Sequence, residues 1–420
     1  MTARLRSWTA AALLVGGIQA GTAEAQRLSP SDVARGVTVG SRPRPDFDPL
    51  GVRLNGFRLD AGLSTGLGWD SNVFGRRRNV VSDGYAEEAL DVSINSDWST
   101  HALGASGRFG ARQYFSRSDL DWQDFNIGAY GRYDLGEFSS VGARYRHYRE
   151  HLDVYNFDVQ SAGISRPVPV DSDEFYVDGN TRFNRLGLQA NALYRTYRFS
   201  DVSLAGVPVR ASLNDFDTAA GVIGANYEIA PGRYINAYVR LQDISYTNSA
   251  SRGRDSFTYE GLIGFQYDFD GVWQGRIALG WRHRDYRSAA LKPLEGLAAE
   301  GQLIWLPTQL TTVTFTVART IEESIRRDAV SFTRTQGGIA VDHEFLRNVI
   351  LGADARVDSR SYPRPAQTAT DGVFTLSARY LLNRNMSLHG SYQFSTRLEA
   401  TGGATEYDRN LLLVRLRFDL

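Results

Sequence analysis

Arginine is the residue type in this chain with the most chemistry to offer. Of its 47 basic residues all but Lys292 are arginine, and ten sit on the polar side of segments that alternate apolar and polar residues: Arg132, Arg144, Arg146, Arg182, Arg240, Arg276, Arg282, Arg284, Arg415 and Arg417. A guanidinium is a flat fork of donors that grips a carboxylate or an anionic substrate with two bonds. Such a set can hold or pass acidic, hydroxyl-rich chains, or it can pair with internal Asp and Glu and brace a wall. Tyr148, Tyr197, Tyr238 and Tyr246 lie near wet positions and offer either a sliding surface for sugar rings or packing. Asp70, Ser71 and Asn72 form a polar triplet that suits a binding site at a rim, or a turn in which Asx and Ser side chains bond their own backbone.

Other chemistries are narrowed quickly. Cysteine is absent, which removes disulfides, thiolate metal sites and Cys nucleophiles. The six histidines, His101, His147, His151, His283, His343 and His389, form no HExxH pattern, and no GxSxG elbow occurs. A triad of His389, Ser391 and a neighbouring Asp is left open, since triads are defined by geometry. Asp119, Asp121 and Asp124 could gather a divalent cation but read as solvated loop charges, because hard-cation loops need more fixed geometry. The 47 acidic residues balance the 47 basic ones, so no basic footprint for nucleic acid exists, and no cofactor is expected.

The elements that carry these residues alternate with a period of two, which puts one face of each strand in apolar surroundings and the other in water. From Phe57 to Trp69, the residues Phe57, Leu59, Ala61, Leu63, Leu67 and Trp69 share one parity, while Arg58, Asp60, Ser64 and Asp70 take the other. Phe257–Phe269 and Leu412–Phe418 behave alike; the stretches 216–227 and 330–345 are blurred by Gly and Thr. The mean hydropathy of -0.33 is too polar for a helical membrane protein, and beyond the first residues no stretch approaches the ~20 apolar residues of a spanning helix. Alternating strands in lipid must close on themselves to satisfy their backbone groups. The expectation is all-β: a single antiparallel transmembrane β-barrel over residues 53–420 in a bacterial outer membrane. Outer-membrane lipid and lipopolysaccharide would surround it, and the barrel-assembly machinery would insert it.

Connection lengths set the count. Short turns at 99–101, 134–137, 184–186, 230–233, 270–272, 306–308, 345–348 and 382–385 alternate with longer polar loops at 71–85, 116–122, 150–173, 200–214, 247–255, 287–295, 321–329, 360–371 and 396–406. Bacterial barrels have an even strand number, short periplasmic turns and long outer loops, so about 18 strands follow, with 16 as the alternative. Trp69 and Trp122 should then stand at the outer rim, and Trp98, Trp273 and Trp305 at the periplasmic rim. Residues 1–25 read as a secretory leader: Arg4 and Arg6, an apolar core from Ala10 to Ile18, and a cleavage site at Ala23-Glu24-Ala25. Residues 26–52, with Pro30, Pro43, Pro45 and Pro49, are either an irregular periplasmic tether or a peptide that folds back into the lumen.

The entry segment RPRPDFDPLGVRLNGFRL from Arg42 to Leu59, followed by Trp69-Asp70-Ser71-Asn72-Val73-Phe74, resembles the β-barrel porin 2 family of outer-membrane barrels. Leu382-Asn383-Arg384-Asn385, Tyr392, Arg397 and Tyr407-Asp408-Arg409-Asn410 look like the closing hairpin of that family. The resemblance implies a conduit for exopolysaccharide export that works with a periplasmic polysaccharide-export protein and an inner-membrane chain-length regulator. Set against it are a general diffusion porin for small solutes, and a barrel enzyme or surface-interaction protein that uses loop 150–173. The chain ends Phe418-Asp419-Leu420, whereas barrel-assembly signals usually end on the aromatic itself.

Overall fold

The computed structural model describes residues 37–420 apart from 205–206, 269–270, 327 and 402–404. The expected leader over 1–25 and the stretch 26–36 lie outside the described residues. Eighteen antiparallel strands follow one another in chain order. The first nine are β1 (Phe57–Asp70), β2 (Asp83–Ser96), β3 (Ala102–Tyr114), β4 (Trp122–Asp134), β5 (Ser139–Leu152), β6 (Val168–Phe183), β7 (Leu186–Phe199), β8 (Phe216–Ala230) and β9 (Arg233–Tyr246). The rest are β10 (Ser256–Asp268), β11 (Trp273–Tyr286), β12 (Leu294–Thr308), β13 (Thr311–Glu323), β14 (Ser331–Leu346), β15 (Val349–Pro363), β16 (Ala366–Leu381), β17 (Met386–Ala400) and β18 (Asp408–Asp419). Each pairs with its chain neighbours, and β18 returns to β1 with Phe418 opposite Leu63 and Leu411 opposite Asp70, which closes the ring.

Parity decides which face meets lipid. Leu63, Leu67 and Trp69 of β1 are exposed while Ser64 and Asp70 are buried; on β10, Phe257, Tyr259, Ile263 and Phe265 are exposed while Thr258 and Glu260 are buried. A one-residue slip would turn every charge of a strand toward hydrocarbon, at about 2–4 kcal/mol per Arg near the midplane, so the register is strongly specified. The blurred stretches are complete strands, β8 with 15 residues and β14 with 16. Their partners on both sides supply the pairing that their own Gly and Thr leave ambiguous.

The short connections lie at one end of the barrel. Asn184 at φ 53° and Gly232 at φ 72° adopt the left-handed backbone of two of these hairpins. Two connections differ from expectation. Residues 306–308 belong to β12, and the turn lies at 309–310. The long loop expected at 360–371 is a two-residue connection, because β15 and β16 stay paired up to Pro363 opposite Ala366. Prolines there mark the tip of the hairpin, and the flanking polar residues belong to strands that project beyond the membrane.

Trp69 and Trp98 are exposed at opposite rims, and Trp273 and Trp305 stack at 5.2 Å at the periplasmic one. Trp122 departs from the girdle. It is half-buried and stacks on His151 at 4.6 Å, with Arg112 at 5.4 Å.

Candidate functional site

Register sets the inward arginines opposite carboxylates. Arg240, Glu260 and Arg282 form one row across β9, β10 and β11; Arg240 is 2.8 Å from Glu260 and 2.8 Å from Glu300, and Arg282 bonds Glu260. Arg146, Glu174 and Arg195 repeat the row on β5–β7, at 2.7 and 3.8 Å, and Arg144 lies 3.7 Å from the same carboxylate. Arg284 pairs with Glu323. Nearer the periplasmic end, Arg132 is 2.9 Å from Asp134 and Arg182 is 2.5 Å from Glu228. Arg276 is half-buried on β11. Charge in a sheltered wall is costly unless paired and hydrogen-bonded, and the pairing of the buried Arg240, Arg282 and Arg284 fits the bracing alternative. The lumen is polar, and most of its inward arginines are paired with carboxylates.

Arg415 and Arg417 have a special task, because they cross the seam. Each reaches from β18 over β1 to β2, Arg415 to Glu87 at 3.2 Å and Arg417 to Asp91 at 2.9 Å. Gly66 makes the crossing feasible, since a Cβ there would collide with the Arg415 side chain and lie 2.5 Å from the Val414 carbonyl oxygen. The rim triplet completes the closure. Arg409 donates to Asp70 through Nε at 3.0 Å and Nη2 at 2.6 Å, and Tyr114 donates to the same carboxylate at 3.1 Å. Ser71 Oγ accepts from the Asn410 amide at 2.7 Å, while the Asn72 side chain donates to the carbonyls of Arg76 and Asp408 at 2.8 and 2.9 Å. Asp70, Ser71 and Asn72 therefore staple the first strand to the last, and the turn reading, extended across the seam, describes them.

The outer lumen is crossed by the connection 153–167. Its short helix α1 (Phe157–Ser161) is started by Asn156, whose side chain accepts from the Asp158 amide. Asp158 is buried and accepts from Tyr362 Oη at 2.6 Å, Ser324 Oγ at 2.8 Å and the Ile325 amide at 3.2 Å. These partners belong to β15 and the β13–β14 loop, about half way round the ring from β5. Phe157 packs into a cluster with Ala329, Phe332, Tyr362 and Ala369, while Val159 and Ile164 join Leu152, Phe199, Val202 and Phe216 in another. Gln160 donates to the carbonyls of Phe74 and Gly75 at 3.2 and 2.8 Å and accepts from Arg397 of β17. Nearby, hydrogen bonds from His151 and Tyr155 hold the Asp153 carboxyl below its ordinary range against the opposing effect of burial. Burial and that carboxylate push the Tyr155 hydroxyl well up, so it remains a donor. The loop is a docked constriction.

At the periplasmic end, the described part of the proline-rich segment folds back into the mouth. The Val39 amide donates to Thr312 Oγ1 at 2.8 Å, and Arg44 lies 2.8 Å from Glu344; all four residues are buried. Arg347 and Arg384 donate to the carbonyls of Pro43 and Pro45 at 3.0 and 2.8 Å. A short strand, Val52–Leu54, then pairs with the start of β1.

The remaining candidates disperse. Tyr148, Tyr197, Tyr238 and Tyr246 are all buried, and Tyr246 donates to Glu323 at 2.7 Å, so these four pack into the wall and form no exposed sliding surface. Asp119 turns to Arg117, Asp121 to the Tyr114 amide and Asp124 to His151; among the described residues no three such groups gather to hold a metal. His389 lies 2.9 Å from Ser387, its partner in place of Ser391. Arg112, paired with Glu87, and Arg409, noted in the sequence only within the closing-hairpin motif, share parity with inward neighbours and could have been found by it. Asp158, Gln160 and Arg44 carry no periodic signal.

A closed ring of eighteen strands with a lipophilic belt and a polar, ion-paired lumen is a porin-type barrel of the bacterial outer membrane. The chain belongs to the family described as Putative beta-barrel porin 2, whose model matches residues 44–420. It is similar to the outer membrane protein OpdK of Pseudomonas aeruginosa at 14% identity, covering 86% of this chain and 99% of that one, with a TM-score of 0.45. It is also similar to a BenF-like porin of Pseudomonas fluorescens Pf-5 (12% identity, 87% and 100% coverage, TM-score 0.48). For OccK2 (OpdF) of P. aeruginosa, a structure in complex with glucuronate, the values are 12% identity, 86% and 98% coverage, and a TM-score of 0.47. No curated protein matches the chain.

Proposed function

We propose that this barrel is a passive diffusion channel for small solutes, and that exopolysaccharide is not its cargo. The observation that carries this reading is the 153–167 connection, anchored on the far wall by Asp158 and Phe157 and to the β1–β2 loop by Gln160. A secreted polymer needs an open bore throughout export, whereas a docked loop that narrows a polar lumen suits molecules of a few rings at most. The paired arginines of the lumen fit the same role: they keep the wall rigid and wet, with most of their charge already met by Glu and Asp. A dedicated periplasmic export partner is not required.

Liposome swelling with sugars of graded size tests the reading. Monosaccharides should pass and oligosaccharides of several rings should be excluded. Impermeability to monosaccharides would sink the channel reading. Loss of surface polysaccharide in a deletion strain would restore export.

A further inference from the structure

Above the constriction lies a cavity of about 450 Å³ where three loops meet, within the range of small-molecule sites. The β1–β2 loop contributes three successive arginines, Arg76, Arg77 and Arg78, all exposed. Their pairing differs from that of the lumen. Arg77 lies 3.2 Å from Glu406, and no carboxylate pairs with Arg76 or Arg78 among the described residues. Arg76 instead stands over the Phe74 ring at 4.5 Å, and Arg117, itself paired with Asp119 at 2.8 Å, backs the same ring at 4.8 Å. The opposite lining is apolar, with Val154 and Ile164 held by the outer clusters, and the hydroxyls of Ser165 and Thr405 complete the wall. Gln160 forms a fixed floor, with its amide donating to Phe74 and Gly75 and its carbonyl engaged by Arg397.

We infer that this vestibule is a binding site for small organic carboxylates with an apolar body, loaded from the outside. The inference rests on the channel reading for its purpose and on the cavity for its chemistry. Arg76 and Arg78, which no carboxylate meets among the described residues, and Arg77, shared with Glu406, stand at a concave mouth, where such positive charge concentrates anions and steers their approach. Their planar forks match a carboxylate, while Val154, Ile164 and the edge of Phe74 shelter the remainder of the solute. An anion without such a body, inorganic phosphate, gains the charge but not the wall. A neutral amide gains the wall but not the charge.

Isothermal titration of the purified full-length barrel in detergent tests this without requiring conduction. The probes are phenylacetate, phenylacetamide and inorganic phosphate. Phenylacetate should bind at least roughly tenfold more tightly than either control, a difference of about 1.4 kcal/mol. Replacing the three arginines together (Arg76→Gln, Arg77→Gln, Arg78→Gln) should abolish that preference. Glu406→Gln, which frees Arg77, should tighten phenylacetate binding, a gain that a misfolded barrel cannot give. Equal binding of the amide or of phosphate, or phenylacetate affinity unchanged in the triple variant or not raised in Glu406→Gln, overturns the site. Failure of sugars to swell liposomes overturns the channel reading and leaves the site standing.

Discussion

At the outer mouth, Phe157 is fully buried among Ala329, Phe332, Tyr362 and Ala369, and the Asp158 carboxylate takes three hydrogen bonds from the far wall. At the periplasmic mouth, Val39 is the one buried apolar residue in the described stretch 37–54, and Glu344 is shared by Arg44 at 2.8 Å, Arg347 at 3.4 Å and Arg42 at 3.8 Å. The first closure is built like a protein core and the second like a polar latch. Apolar burial is cooperative and insensitive to salt, whereas the latch joins one buried pair, Arg44 and Glu344, to the more exposed Arg347 and Arg42, whose share is screened by salt and replaced by water when the segment leaves. The outer constriction should therefore be a permanent part of the channel, and the periplasmic segment a removable one.

The largest effect should come from undoing the core-like closure. Phe157→Ala together with Asp158→Ala removes a buried aromatic, worth about 3–5 kcal/mol, and leaves the Tyr362, Ser324 and Ile325 donors without their acceptor. Single-channel conductance should rise by a factor of about two or more as the bore widens toward that of an unplugged barrel. Protease added outside should then cut within 153–167. Unchanged conductance in a folded double variant would show that the loop does not constrict the path.

A smaller rise is expected from Glu344→Gln, which keeps the shape of the side chain but strips three guanidiniums of their common anion. Arg44→Ala should do less, because Arg42 and Arg347 still face Glu344. If Glu344→Gln opens the channel further than the Phe157/Asp158 pair, the contrast between core and latch is wrong. Protease accessibility of residues 37–51 from the periplasmic side reports release of the segment separately from conductance.

How much of this was legible in the sequence depended on what enforces each feature. Lipid enforces the alternation along the strands, so the ring and the inward side of Arg240 or Arg417 could be read from parity, while the strand count came from the alternation of short and long connections. The partner of each arginine could not, since it depends on register between neighbouring strands: Glu174 meets both Arg146 and Arg195 only once β5, β6 and β7 are aligned. The rim triplet advertised its turn chemistry but not the residues Arg409 and Asn410, 339 positions away, that it fastens. Least legible were the closures. Phe157, Val159 and Ile164 follow no period within a polar loop, and Asp158 finds Tyr362 across 204 residues of chain. Arg44 stood in a stretch whose four prolines left open an irregular tether or a peptide folded back into the lumen, and nothing local marked Glu344 as its partner.

The smallest expected effect uses acid to separate the two mouths. Asp153, at the root of the outer loop, accepts from His151 at 3.3 Å and from Tyr155 Oη at 2.6 Å. His151 is also held by Asp124 at 3.0 Å, and the Tyr155 ring lies 4.1 Å from the Arg409 guanidinium. The Asp153 pKa is lowered in the folded protein, by these hydrogen bonds acting against burial. The stabilisation it gives is thus complete above the unfolded value of about 3.9 and is lost as pH falls through the lower folded value. Between pH 5 and 8 the group stays ionised, and outer-loop docking should not change on its account. Below about pH 4, wild-type conductance should creep upward as Asp153 protonates and the root of the loop loosens. Asp153→Asn should remove this acid response while Phe157 and Asp158 keep the loop docked. An acid response that persists in Asp153→Asn and vanishes in Glu344→Gln would move the pH-sensitive closure to the periplasmic mouth.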